Sequence, residues 1–108
     1  VILLDPYRVT RVLLEGGARY DQEIVDFLES NEYTTFDMNL VHCKDFQAFR
    51  LSASDYLKRY YIGHYNPAGT HLFAYALKNV VVEWLEPKPL PYRDTTQRRI
   101  NFKDYLQP

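Results

Sequence analysis

The spacing of apolar and polar residues changes period several times along this chain, and each change predicts an element. Residues 1–4 are a continuous apolar run ending in Asp5-Pro6, which predicts a buried strand followed by a turn. Residues 9–15 predict a short helix, with Thr10 near its start and Gly16-Gly17 stopping it. Over residues 20–29, Tyr20, Ile24, Phe27 and Leu28 share one helical face, while Asp21, Glu23, Asp26 and Glu29 fall largely on the other. Ser30-Asn31 ends that helix. Residues 35–40 then switch to period two. Phe36, Met38 and Leu40 point one way and Thr35, Asp37 and Asn39 the other, the pattern of a strand.

Residues 42–53 predict irregular or briefly helical chain anchored by Phe46 and Phe49. Ser52 and Asp55 have capping-box spacing, with Asp in place of the usual Glu or Gln, and predict a helix over residues 55–61. A loop over residues 63–69 leads into the longest helix, with Asn66 as N-cap and Pro67 in the first helical position. That helix is expected to reach Leu85 or Glu86. Its wide apolar face, including Leu72, Phe73, Leu77, Val81 and Trp84, is expected to pack against a sheet. Pro87, Pro89 and Pro91 break regular structure, and the polar tail with Arg93, Arg98 and Arg99 reads as an extension over a surface. Two parts follow: an α/β portion over residues 1–86 and an extension over residues 87–108.

Only two strands are convincing, and an isolated strand pair is marginal. The apolar helix faces ask for a larger sheet. The expectation is therefore the C-terminal part of a parallel-sheet α/β protein, completed by an N-terminal half or by self-association. The opening at Val1, inside an apolar run and without Met, fits that expectation. Composition narrows the class further. With 46% hydrophobic and 25% charged residues, disordered and collagen-like chains are excluded. Thirteen Lys+Arg against 14 Asp+Glu give a net charge of -1, without the basic surplus of a nucleic-acid binder. No apolar run approaches the ~20 residues of a membrane span. A single cysteine, Cys43, excludes an intrachain disulfide framework and leaves the compartment open, so a soluble parent is either exported or not.

Candidate chemistry concentrates in two places. If the strand over residues 35–40 is covered on both sides, Asp37 and Asn39 lie near its C-terminal end, where open α/β sheets place ligands. The plainer reading is a half-exposed edge strand. The second place is Gly63-His64-Tyr65-Asn66-Pro67-Ala68-Gly69, a loop histidine followed directly by a helix start. A histidine so held suits a general base that needs firm orientation. Tyr60, Tyr61 and Tyr65 cluster around it, as packing or as rings that stack on sugars at a site rim. His42, Cys43, His64 and His71 match no usual zinc spacing, so no metal is expected. Cys43 reads as a small buried residue and His71 as a solvent-facing one.

The segment His64-Tyr65-Asn66-Pro67-Ala68-Gly69, with the long helix after it, resembles the last conserved block of the SGNH (GDSL-type) hydrolases. In that block the catalytic histidine stands five positions before a glycine in the first turn of the final helix, the spacing of His64 and Gly69. The resemblance implies a three-layer α/β/α flavodoxin-like fold with a parallel sheet, of which this chain is the C-terminal part. It implies a serine-type ester hydrolase without cofactor, acting on an O-acylated carbohydrate or a similar small ester, with His64 as general base. Asp37, Asn39, Tyr61, Tyr65 and Asn66 are supporting or substrate-contacting candidates. The chain departs from the family in two ways. Ser30, Ser52 and Ser54 lie in no Gly-Asp-Ser context, so the nucleophile and oxyanion blocks are missing. Tyr61 occupies the position, three before the histidine, where the family has Asp. Three alternatives follow: a Ser–His dyad oriented by a backbone carbonyl, a carboxylate from Asp37 or Asp55, or a degenerate site. The competing function is a non-catalytic α/β module that binds a glycan or protein through the loop over residues 60–65.

Overall fold

Among the described residues an aspartate stands at or just beyond the end of each strand, and each starts a helical segment. In the computed structural model, which describes residues 1–86, β1 (Ile2–Leu3) pairs in parallel with β2 (Phe36–Asp37), with Ile2 opposite Phe36 and Leu3 opposite Asp37. After β1, the Asp5 carboxylate accepts from the Arg8 N–H at 3.0 Å and its carbonyl accepts from Val9 and Thr10. Pro6 has no N–H to lose at this first position. The result is a wide π-type turn, Pro6–Thr10, that runs directly into α1 (Arg11–Leu14). Gly16, at φ +82, stops α1 as expected. After β2, Asp37 accepts from the Asn39 N–H and opens α3 (Met38–Phe46).

That cap corrects the reading of residues 35–40 as one strand. The strand ends at Asp37, and Met38 and His42, four apart, face the core as a helix places them. Six alternating residues mimic a strand when one in their midst is a cap. Residues 42–46, expected to be irregular or briefly helical, continue α3. The α2 helix (Gln22–Ser30) forms where its periodicity puts it, but of its apolar face only Leu28 is buried. Tyr20, Ile24 and Phe27 are exposed, because no described element covers them. Val1 and Ile2 are exposed too, so the first strand is not the buried one expected.

The α4 helix (Ala53–Lys58) carries the expected Ser52 cap, whose hydroxyl accepts from the Asp55 N–H at 3.1 Å. The core sits where the wide turn, α3 and α4 meet: Val9, Met38, Ala53, Tyr56 and Leu57 are buried there. Phe46 and Phe49 anchor residues 42–53 as expected, with rings 5.3 and 5.7 Å from the Tyr56 ring. The chain divides into two compact units, Val1–Leu77 and Lys78–Pro108. The last described helix, α5 (Pro67–Trp84), starts in the first and ends in the second. Along it only Gly69 is buried, while Leu72, Phe73 and Leu77 are half-buried. In the second unit, Val80, Val81, Val82 and Trp84 are half-buried. The proline-rich break and the arginine-bearing extension lie outside the described residues. This is mixed helix and strand around a small parallel sheet, an α/β composition.

A buried ion cluster closes the strand ends. Arg19 lies between α1 and α2 and grips Asp21 through Nε at 2.6 Å and Nη2 at 2.9 Å, while its Nη1 binds Asp37. Its side chain is 8% exposed. Asp37 also accepts from the Asn39 side chain, and Asn39 Oδ1 accepts from the Asp5 N–H at 2.9 Å and the Thr10 hydroxyl at 2.8 Å. The bidentate guanidinium fork satisfies two carboxylates removed from water. Hydrogen bonding to Arg19 holds Asp21 below the usual carboxylate range. A depressed folded value means that this stabilisation is present above the ordinary carboxylate pKa and is lost as pH falls through the folded one. Replacing Arg19 by Leu leaves the buried Asp21 and the half-buried Asp37 without their cation. Urea denaturation at neutral pH should show a loss of about 1–3 kcal/mol, shrinking below about pH 4 as Asp21 protonates.

Candidate functional site

Two tyrosines and a glycine build the loop that carries His64. Tyr61 and Tyr65 form an antiparallel bridge, and the Ile62 N–H donates to the His64 carbonyl at 2.9 Å. Gly63, at φ +94, makes the tip in a conformation that side chains disfavour. Asn66 locks the base of this hairpin. Its Oδ1 accepts from the Gly69 N–H at 2.8 Å as an N-cap, its Nδ2 donates to the Arg59 carbonyl at 2.8 Å, and its own N–H donates to the Tyr60 carbonyl. Asn66 and Pro67 therefore start α5 as expected, and they also tie it to the end of α4.

Gly69 is required by close approach. A Cβ there would lie 2.3 Å from Cδ1 of Tyr65 and 2.4 Å from the Tyr60 carbonyl oxygen. The five-residue spacing from His64 to Gly69 thus has a physical cause: the ring next to the histidine crosses the first turn of the helix.

His64 itself is exposed on this hairpin. Its Nδ1 lies 2.9 Å from the Tyr65 carbonyl oxygen, which can only accept, so Nδ1 carries the proton and donates. No described carboxylate bonds His64. Asp37 is engaged with Arg19 and Asn39, and Asp55 lies 3.8 Å from Lys58. Tyr61 packs its ring edge-on against Tyr7 at 5.5 Å and Tyr65 at 5.1 Å. Burial raises its phenol pKa above the ordinary value, so the hydroxyl stays protonated at neutral pH. The structure thus brings Tyr61, Tyr65 and Asn66 to His64 in one hairpin. Asp37 and Asn39 sit together in the ion cluster at the strand ends. His71 is exposed, as expected. Cys43 is half-buried, with its thiol pKa raised by burial and then by Asp37. Among the described residues no group of His, Cys, Asp and Glu is placed to hold a metal, and no helix is long and apolar enough to cross a membrane.

No family model, curated protein or solved structure matches this chain.

The geometry of the site includes a buried network with His42 at its centre. His42 is 1% exposed, with Nδ1 2.9 Å from the Tyr56 hydroxyl and Nε2 2.6 Å from the Tyr65 hydroxyl. Tyr56 and Tyr60 both donate to Asp45 Oδ2, at 2.9 and 2.8 Å. A phenol has one proton to give. Tyr56 gives its proton to Asp45, so His42 Nδ1–H donates to Tyr56, and Nε2 accepts from Tyr65. Burial lowers the His42 pKa, with Asp45 opposing, which keeps the ring neutral in this tautomer. Sequence reading missed this network. Its traces are the i,i+3 pair His42/Asp45 and the i,i+4 pair Tyr56/Tyr60, each on one helix face. Tyr60 also walls a cleft of about 380 Å³ with Ala68, His71, Leu72 and Tyr75. Tyr61 walls a second, of about 160 Å³, with Tyr7, Arg11, Ser54, Leu57 and Lys58.

Two outcomes are expected. Gly69→Ala forces apart Tyr65 and Tyr60 and should cost about 1–3 kcal/mol by chemical denaturation. His42 has a folded pKa below its unfolded value of about 6.5, so its neutral form stabilises the fold fully only above that pH. Stability should fall as pH drops below about 6.5, and a His42→Gln variant should lose that part of the dependence.

Proposed function

We propose that this chain supplies the general-base histidine of a serine-type ester hydrolase of SGNH type, as the C-terminal part of a three-layer α/β/α flavodoxin-like domain. The observation that carries the reading is the hydrogen bond from His64 Nδ1–H to the Tyr65 carbonyl. It leaves Nε2 as the basic nitrogen on an exposed, braced loop, the tautomer a base must have. A backbone carbonyl then orients the ring in place of the family's aspartate, and Tyr61 is a packing residue of the hairpin. The nucleophilic serine and oxyanion donors come from outside this chain, since Ser30, Ser52 and Ser54 lie in no Gly-Asp-Ser context.

In this mechanism His64 Nε2 takes the proton of the serine hydroxyl as its oxygen attacks the ester carbonyl. The imidazolium gives that proton to the departing alcohol, leaving an acyl-enzyme. Water attacks the acyl group, passing its proton through His64 back to the serine oxygen as the acid leaves. The tyrosine-walled clefts beside the hairpin suit the flat faces of a sugar, which favours an O-acylated carbohydrate as substrate.

A second reading is a non-catalytic module that binds a glycan or protein through residues 60–65. It is favoured by Ile62, which is 65% exposed at the hairpin tip. The two part on one variant. In the protein that carries this chain, His64→Ala should lower kcat for p-nitrophenyl acetate by about 10³-fold or more and slow fluorophosphonate labelling of its serine. Its Tm should stay close to that of the unaltered protein, because the side chain is exposed. Unchanged turnover, or no turnover at all beside saturable glycan binding, would favour the binding module.

A further inference from the structure

We infer that His42, which takes no part in the proton transfers of the proposed mechanism, is a positioning residue for His64 and acts through Tyr65. The inference rests on the esterase reading of His64. Tyr65 has two handles. Its carbonyl accepts from His64 Nδ1–H at 2.9 Å, and its hydroxyl donates to His42 Nε2 at 2.6 Å. The direction of the carbonyl is therefore set by how firmly the ring is held.

The ring is held on every side by something stiff. Tyr61 lies 5.1 Å from it and Phe73 5.9 Å, and the first turn of α5 passes beneath it at Gly69. Packing fixes the plane of the ring but not the depth of its hydroxyl. His42 fixes that depth. It is itself pinned by Tyr56, whose hydroxyl, with that of Tyr60, ends on Asp45. Asp45 from α3, Tyr56 and Tyr60 at α4 and its end, and Tyr65 from the hairpin are the titratable groups facing His42. The chain of donors runs in one direction, Tyr65 to His42 to Tyr56 to Asp45, so each member has a defined proton and a defined orientation. A base misaligned by a fraction of an ångström loses rate without losing substrate.

Tyr65→Phe removes only the hydroxyl and keeps the ring, the carbonyl and the contact at Gly69. The first readout needs no activity: ¹⁵N-detected tautomer assignment of His64 in the full protein. Unaltered protein should show Nδ1–H, and Tyr65→Phe a mixture of tautomers. The second is kinetic, with p-nitrophenyl acetate as substrate. Tyr65→Phe and His42→Phe should each lower kcat by about 10-fold with KM unchanged, and the double variant should lose no more than either alone. His42→Gln, which keeps an acceptor for Tyr65, should recover most of the rate. A His64 tautomer unmoved by Tyr65→Phe, or losses that multiply in the double variant, would overturn the inference. If His42→Phe fails to fold, Tyr65→Phe decides alone. Absence of turnover in the unaltered protein overturns the esterase reading, and the tautomer measurement still decides the positioning.

Discussion

The structure turns on a missing side chain. Because Gly69 has no Cβ, the Tyr65 ring and the Tyr60 carbonyl both reach the first turn of α5. Everything that braces the hairpin follows from that approach. The Tyr60 carbonyl is close enough to take the Asn66 N–H, the Asn66 side chain can both cap α5 and hold the Arg59 carbonyl, and Tyr65 can pass inward to His42. A His-Tyr-Asn-Pro-x-Gly string is thus a packing solution. The histidine is its exposed tip, the tyrosine its anchor, the asparagine its clamp and the glycine the space they need.

Two polar networks hold the first unit where its apolar core is small. One, around Arg19, joins the ends of both strands to the start of α2. The other, around His42, joins α3, α4 and the hairpin. Among the described residues every buried side-chain polar atom has a partner. Such networks are demanding, since each member left without its partner carries a desolvation cost. They also specify. Asn39 can satisfy Asp5, Thr10 and Asp37 together in only one arrangement of the strand ends, and His42 can serve Tyr56 and Tyr65 in only one tautomer.

What the sequence made legible was local. Ser52 and Asn66 announce their helices because a cap reaches only two or three residues ahead, and Gly16 stops α1 for an equally local reason. The tyrosines and the asparagine around His64 were legible as one cluster because a hairpin keeps sequence neighbours together. What was hidden depended on distant partners. Asp37 looks like one more polar position of an alternating strand until Arg19, 18 residues earlier, is seen to bind it. His42 looks like half of a His-Cys pair, yet its partners come from α4 and the hairpin. The exposed faces of α2 show the opposite limit. Periodicity finds the helix, but it says nothing about whether a described neighbour covers it.

The bonds of this fold also differ in the length of chain they close, and this orders them in time. The clamp at Asn66 spans seven residues and the bridge between Tyr61 and Tyr65 fewer still, so both need only short loops to form. The bond between Asp5 and Asn39 spans 34 residues. Short closures are fast and long ones wait on chain search. The segment from α4 into α5 is therefore expected to organise early in refolding, with the histidine-bearing tip shaped before the strands pair. The parallel strands and the bond from Asp5 to Asn39 would lock last, as the slow step that commits the chain.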